Sequence, residues 1–201
     1  MPKRDKEYMN GQRTRISEAA LEVMLEKGVY ETSQRDVARR ADVSIGALYT
    51  HFATKDDLFV AAWRVDHFAQ HRVESVHTWR DYIALLAIDD IVLSPREKQR
   101  YRLALQIAAE VVSRDKNLDG TEQIYHRYRD RIRKSLLNLQ QAGLISLPFE
   151  LELTTELHMQ IVAGAGFQVA TDREIDIANV LRAAQAGLAL TAGYAVPEKS
   201  V

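Results

Sequence analysis

Cysteine is absent from this 201-residue chain, which excludes disulfides and thiolate-bound metals and removes any sequence argument for an oxidising compartment. Proline and glycine number only four and nine; they punctuate long apolar patterns without forming linkers, so the chain reads as helical throughout. There is no internal repeat and no low-complexity segment. No run is long and apolar enough to cross a membrane. At the start, Lys3, Arg4 and Lys6 are followed by polar residues, unlike the apolar core of a secretory signal. A cytoplasmic location, with no membrane partner, is therefore expected. Nucleophile elbow, glycine-rich phosphate loop and His-Glu-x-x-His motif are all missing, and the carboxylates form no recognisable acid–base pair. Catalytic residues, a cofactor and a metal site are not expected.

What the chain does have is enough hydrophobic residue, 46%, to build a real core, and one dense local signal. The segment TSQRDVARRADVSIGALYTHFATK, Thr32 to Lys55, packs two short helical patterns around a tight turn. Ser33 is a good N-cap, and Asp36 three residues on places a carboxylate in the first turn, where it favours the helix dipole. Val37 and Ala41 fall on one face, with small Ala38 beside them. Ala41-Asp42-Val43 is the turn, and aspartate tolerates the left-handed backbone that a tight turn demands. Ser44 caps a second helix in which Leu48 and Phe52, one turn apart, point inward. Its other face offers Ile45, Gly46, Ala47, Thr50 and His51, small enough for a helix to approach base edges in the major groove. Tyr49, His51 and Lys55 are of the right types to reach phosphate oxygens. On spacing alone, a helical hairpin with ordinary polar faces fits these residues equally well.

The net charge of −1 looks poor for a nucleic-acid binder until it is divided. Residues 1–55 carry ten Lys/Arg against eight Asp/Glu, and the remainder seventeen against twenty. The start is crowded with Lys3, Arg4, Lys6, Arg13 and Arg15; it reads either as a basic arm adding phosphate contacts or as a solvated terminus.

The stretch ISEAALEVMLEKGVYETSQRDVARRADVSIGALYTHFATKDDLF, Ile16 to Phe59, resembles without a gap the N-terminal domain of the TetR family of bacterial transcriptional regulators. The matching positions include Ala20, Glu26-Lys27-Gly28, Thr32-Ser33, Asp36-Val37-Ala38, Val43-Ser44, Gly46, Leu48-Tyr49, His51-Phe52 and Lys55. The resemblance implies an all-α protein: a three-helix helix-turn-helix DNA-binding domain over residues 1–55, then a larger helical regulatory and dimerisation domain over 56–201. It implies that Ser33, Tyr49, Thr50, His51 and Lys55 contact phosphates, that Gln34, Arg35, Ile45, Gly46 and Ala47 lie nearest the bases, and that Ser44 belongs to the same surface. Asp42 departs from the glycine usual in the turn. Ile45 and Ala47 cannot donate side-chain hydrogen bonds, so readout would lean on thymine methyls, Gln34, Arg35 and DNA shape.

Further along, helical patterns are expected at about Gln12–Lys27, Lys55–His77, Trp79–Ala87 and Ser94–Arg114. Others follow from the Asp119/Glu122 capping box to Gly143, from Pro148 to Ala170, and from Asp172 to Gly193. The last two hold small residues in apolar surroundings, and Gly164, Gly166, Ala184, Gly187 and Leu188 are the expected homodimer contacts, with internal packing as the other account. The segments AEVVSRD, YHRYRDRIRKSLLNLQQAGLIS and IVAGAGFQVATD are similar in layout to the BetI-like subgroup of the same family. That implies a pocket among the middle helices, for which Trp63, His67, Gln106, Glu110, Tyr125, Tyr128, Arg129 and His158 are the candidate lining. The expected partners are thus operator DNA, a small-molecule effector and a second copy of the chain. A repressor released by its effector is the leading expectation; activation, or a protein partner for the C-terminal bundle, are the alternatives. Two metal-like patterns are set aside. Asp115–Gly120 begins like a calcium loop but has His126 where the bidentate glutamate belongs, and His67, His71 and Glu74 share a face with no fourth ligand near.

Overall fold

The computed structural model describes residues 3–70, 75–89, 93–113, 121–172 and 174–195. Among them are nine helices and no strand: α1 (Lys3–Lys27), α2 (Gln34–Arg40), α3 (Ile45–His51), α4 (Lys55–Gln70), α5 (Trp79–Leu85), α6 (Pro95–Ser113), α7 (Thr121–Gln141), α8 (Leu151–Thr171) and α9 (Ile177–Ala192). None of these helices is long and apolar enough to cross a membrane. The all-α class follows from the pattern of apolar residues at helical spacing and from the scarcity of breakers.

Two helix boundaries differ from expectation. α1 starts at Lys3 and not near Gln12: no proline lies between Lys3 and Gly11, and the residues there are mostly good helix formers. The terminal cations therefore stand on a helix and not on an arm. α4 is described as far as Gln70, and Ser75–His77, where helix is expected, are not helical. The reason is a capping box at Thr78, whose hydroxyl accepts from the Asp81 N–H at 3.1 Å while the Asp81 carboxylate accepts from the N–H groups of Thr78 and His77 at 2.9 and 3.1 Å. A cap of this kind holds Thr78 extended and starts α5 afresh. The capping box expected at Asp119, the calcium-like segment 115–120, His71 and Glu74 lie outside the described residues, as does the side chain of His67.

The chain forms two compact units, one of residues 1–69 and 102–122 and the other of residues 70–101 and 123–201. In the first, Ile16, Ala20, Val23 and Met24 of α1, Val37 and Ala38 of α2, Leu48 of α3, Phe52, and Leu58, Phe59 and Ala62 of α4 make one buried core with Leu103 and Ile107 of α6. Each large apolar side chain so buried contributes on the order of 2 kcal/mol, which is how helices as short as α2 and α3 persist. The α1 C-terminus is closed by Gly28 at φ +83°, whose N–H bonds the Met24 carbonyl at 2.8 Å. The next N–H, of fully buried Val29, is accepted by the Gln106 side-chain oxygen on α6 at 3.0 Å.

The second unit is built on the α8–α9 pair, joined by a short connection with Asp176 as the α9 N-cap. Tyr82, Leu85, Ile132, Leu136, Leu181, Ala184, Leu188 and Ala192 fill its core. Gly193 closes α9 at φ +61°, and a Cβ there would lie 2.0 Å from the Ser146 carbonyl oxygen, so only glycine fits. Trp79 stacks on Tyr194, ring centroids 4.5 Å apart. Arg129 and Arg133 on α7 reach Glu156 and Glu152 on α8 at 2.9 and 2.6 Å.

Candidate nucleic-acid interface

The first layer of the surface is α2 and its cap. Ser33 Oγ accepts from the Asp36 N–H at 3.1 Å and donates to the Asp36 carboxylate at 2.6 Å, while the Ser33 N–H reaches the same carboxylate at 3.3 Å. Lys27 lies 3.1 Å from the other carboxylate oxygen. The Ser33 hydroxyl and then Lys27 hold the Asp36 carboxyl down at about 2, so the cap stays charged well into acid. Arg40 pairs with Glu26 at 2.6 Å, tying α2 to α1.

The turn then runs as its residues dictate. Asp42 takes φ +52°, the left-handed conformation in which aspartate replaces the usual glycine, and the Val43 N–H reaches back to the Ala38 carbonyl at 3.0 Å. Ser44 Oγ accepts from the Ala47 N–H at 3.1 Å, which starts α3. Leu48 and Phe52 are fully buried, so the opposite face is forced outward. Ile45, Gly46, Tyr49 and Thr50 are exposed, Tyr49 by half, and Ala47 is partly so.

Behind this face, the C-terminus of α3 is braced by residues that local spacing does not reveal. Arg13 donates from Nη1 to the His51 carbonyl at 2.6 Å and lies over the Phe52 ring at 4.3 Å from its centroid. Gln12 Oε1 sits 2.8 Å from His51 Nε2; since the amide oxygen can only accept, the ring donates there. Burial, with Arg13 adding to it, lowers the His51 pKa, so the ring is neutral at pH 7 and Nδ1 is left as an acceptor. His51 therefore acts as a strut in this structure, and as it stands the ring offers a phosphate no donor.

Lys55 donates to the Tyr30 carbonyl at 3.0 Å and lies beside the Phe59 ring, which leaves two of its three N–H bonds for an anion. Ser33 donates its hydroxyl proton to Asp36, Ser44 accepts at its cap and keeps its O–H for donation, and Thr50 donates to the Gly46 carbonyl at 3.1 Å. Gln34 is half-buried, with its amide nitrogen shut away from solvent and unpartnered; it must rotate to reach a base. Arg35 and Arg39 extend into solvent from α2. Among the sequence-derived DNA-surface residues, the donors left available are Arg35, Ser44, Tyr49 and Lys55.

The residues expected to line an effector pocket divide between the two units. In the first, Trp63 and Glu110 are buried, and Gln106 is a structural strut for Val29 and not a free pocket group. In the second, Tyr125 is exposed, Tyr128 is half-buried with its hydroxyl pKa pushed up by desolvation, and Arg129 is engaged with Glu156. His158 is fully buried and satisfied: its Nδ1 lies 2.6 Å from the Tyr82 hydroxyl and its Nε2 3.0 Å from Thr191 Oγ1. Thr191 donates to the Gly187 carbonyl at 2.7 Å, so Nε2 carries the proton and Nδ1 accepts from Tyr82. Desolvation brings the His158 pKa down to about 4.

Two expected dimer contacts also move. Ala184 and Leu188 point into their own core, because they share with Leu181 a helical stripe that faces inward. Gly166 packs on Tyr101 and Gly187 faces Ile161, while Gly164 is open.

The sequence profile described as "Bacterial regulatory proteins, tetR family" matches residues 16–62, which span α1 to the first half of α4. The HTH-type transcriptional regulator UidR of Escherichia coli K12 is 29% identical over 193 residues, covering 88% of this chain and 92% of that one. A TetR-family transcriptional regulator from a Rhodococcus species shares the fold with a TM-score of 0.76 at 20% identity, over 90% of this chain and 98% of that one. The multidrug binding protein EbrR, solved with ethidium, aligns with a TM-score of 0.64 at 25% identity, over 92% and 99% of the two chains. With α3 capped, braced and outward-facing inside the matched segment, the chain belongs to the tetR family and is a DNA-binding transcriptional regulator.

Proposed function

We propose that two copies of this chain bind an operator together and repress transcription until a small molecule releases them. The observation that carries the DNA-reading part is the outer face of α3. A backbone approach surface of Ile45, Gly46 and Ala47 is flanked by Tyr49 and Lys55, on a helix whose inner side is fully buried at Leu48 and Phe52. Gly46 has nothing within 4 Å of where a Cβ would stand except the Ser44 hydroxyl at 3.9 Å, so the helix offers a smooth surface to a groove. Specificity then rests on Arg35, on methyl contacts from Ile45 and Ala47, and on DNA shape.

Dimerisation is supported by the outward stripes of the second unit. Leu153, Gly164 and Phe167 on α8, and Ala183, Ala186 and Leu190 on α9, are exposed, Leu190 by 78%. Apolar groups at this spacing on adjacent helices suit a four-helix packing against a second copy. Such a pair would set two α3 helices about one DNA turn apart.

The effector belongs with the aromatic residues of α7, Tyr125 and Tyr128, and the ethidium complex of EbrR, which aligns over 92% of this chain, supports a ligand in such a fold. Release requires only that the effector prefer the non-binding arrangement by a few kcal/mol. By sequence α6 belongs to both units, and Gln106 attaches it to the end of α1. Movement of α6 would therefore be felt directly behind the α2–α3 platform.

The test is binding of the purified chain to its own upstream intergenic region at two salt concentrations, beside the double variant Tyr49→Phe, Lys55→Ala. Tight binding is expected, with the salt slope falling by about 1 in each half-site for the lost Lys55–phosphate contact. A variant that binds as tightly as wild type, with an unchanged slope, would refute the assignment of the α3 face.

A further inference from the structure

Within the first unit, α1 and α4 enclose an open cleft of about 470 Å³, a volume in the range of small-molecule sites. Its α1 wall carries Arg13, Thr14, Ser17 and Glu18, and its α4 wall carries Ala61 and Arg64. The Arg64 Nε is shut away from solvent and has no hydrogen-bond partner. A guanidinium N–H left in that state is costly, and nothing in the helix geometry demands it, since α4 could turn a long flexible side chain outward at this half-buried position. Arg13 on the facing wall is already ordered by its bond to the His51 carbonyl and its seat over Phe52. Two guanidiniums against one carboxylate, Glu18, give the cleft a positive balance, and the Thr14 side chain is exposed at its edge.

We infer that this cleft is a second effector site, for a small organic anion with a carboxylate or phosphate group, in which Arg64 turns its closed guanidinium into the cleft to supply the anchoring donor and Arg13 supplies the second. Planar guanidinium forks match both anions, and the partly apolar floor at Ala61 gives room for an uncharged ring or chain. Occupation would register at the DNA surface, because Arg13 is the same side chain that braces the end of α3. The site is separate from the effector region proposed on α7 and does not depend on it.

The experiment is thermal unfolding of the full chain with phenyl phosphate, phenol or ionic-strength-matched sodium chloride, for wild type, Arg64→Met and Arg64→Lys. Phenyl phosphate at 100 times its dissociation constant should raise the wild-type Tm by roughly 5–10 °C, while phenol and salt leave it unchanged. In Arg64→Met the phenyl phosphate shift should vanish, and the ligand-free variant should melt about 3 °C higher than wild type because the unpaired donor is gone. Arg64→Lys, which keeps the charge but loses the Nε donor, should retain less than half of the shift and guards against a misfolded methionine variant. Equal shifts in all three proteins, or no shift in wild type, would overturn the proposal whatever the operator assay shows.

Discussion

Replacing Gln106 by methionine tests whether its amide is needed as a strut for Val29. In the structure its amide oxygen accepts the Val29 N–H at 3.0 Å, one residue past the glycine that ends α1. Val29 is fully buried, so water cannot take over when the acceptor is removed. Methionine keeps the volume and leaves a buried, unsatisfied N–H, which costs about 2 kcal/mol. For a chain of 201 residues this lowers Tm by about 4–8 °C. Gln106→Glu retains an acceptor oxygen at the same place and should recover most of the loss. The assay is differential scanning calorimetry of the three proteins at pH 7, followed by effector titration of the operator complex. A methionine variant with wild-type Tm and an altered effector response would refute the strut and return Gln106 to the pocket lining suggested by its place in the sequence.

His158 predicts an acid-sensitive core. Its folded pKa is held down to about 4 by desolvation, against about 6.5 when unfolded. As pH falls through that window the unfolded chain takes up a proton that the folded chain refuses, so stability is full above pH 6.5 and falls by about 3 kcal/mol by pH 4. Chemical denaturation against pH should show this slope in wild type and lose it in His158→Gln; equal slopes would sink the assignment. Gly193→Ala forces a Cβ 2.0 Å from the Ser146 oxygen at φ +61°, and should cost more than about 2 kcal/mol; a near-neutral result in urea unfolding would contradict the close approach. Asp42→Gly relieves a left-handed aspartate and should stabilise the chain by up to about 1 kcal/mol without changing operator affinity, both read on one preparation. Leu190→Glu, on the outward face of α9, should shift sedimentation from dimer towards monomer while leaving helicity intact. An unchanged dimer would place the subunit interface elsewhere.

The parts of this molecule that could be read from sequence are those whose causes are local. Ser33 with Asp36, Asp42 in the turn and Ser44 before Ile45 act within four residues, and the structure shows each doing what its chemistry requires. The inward stripes of α1 and α4 were equally plain at Ile16, Ala20, Val23, Leu58 and Ala62. What escaped was long-range. Arg13 meets His51 across 38 residues, Lys55 meets Tyr30 across 25 and Gln106 meets Val29 across 77. No periodicity encodes such a pairing; it exists only once α1 lies behind α3 and beside α6. The misplacement of Ala184 and Leu188 had a different cause. Residue size singles out Ala184 but says nothing of Leu188, whereas helical phase groups both with buried Leu181. The Thr78/Asp81 box is legible in the sequence as the start of α5; the apolar pattern of α4 extends up to Val76 just before it, because Val76 is buried even though it lies outside a helix.

These long-range bonds change what DNA binding must accomplish. His51, Thr50 and the two capping serines already spend hydrogen bonds within the chain, so a phosphate facing them meets groups that are held in place more than groups that are free to donate. Under the proposed function, that arrangement lowers the entropy lost on docking and leaves the new phosphate contacts to Arg35, Ser44, Tyr49 and Lys55. Arg13 has a different part: it touches the recognition helix from behind, through the His51 carbonyl and the Phe52 ring, without belonging to the reading face. A perturbation at Arg13 should therefore weaken binding to every sequence alike and leave base preference unchanged, whereas one at Arg35 should alter preference. Measuring both variants against a small library of operator-like sites separates positioning from readout. A change in base preference on replacing Arg13 by lysine would show that the brace reaches the groove itself.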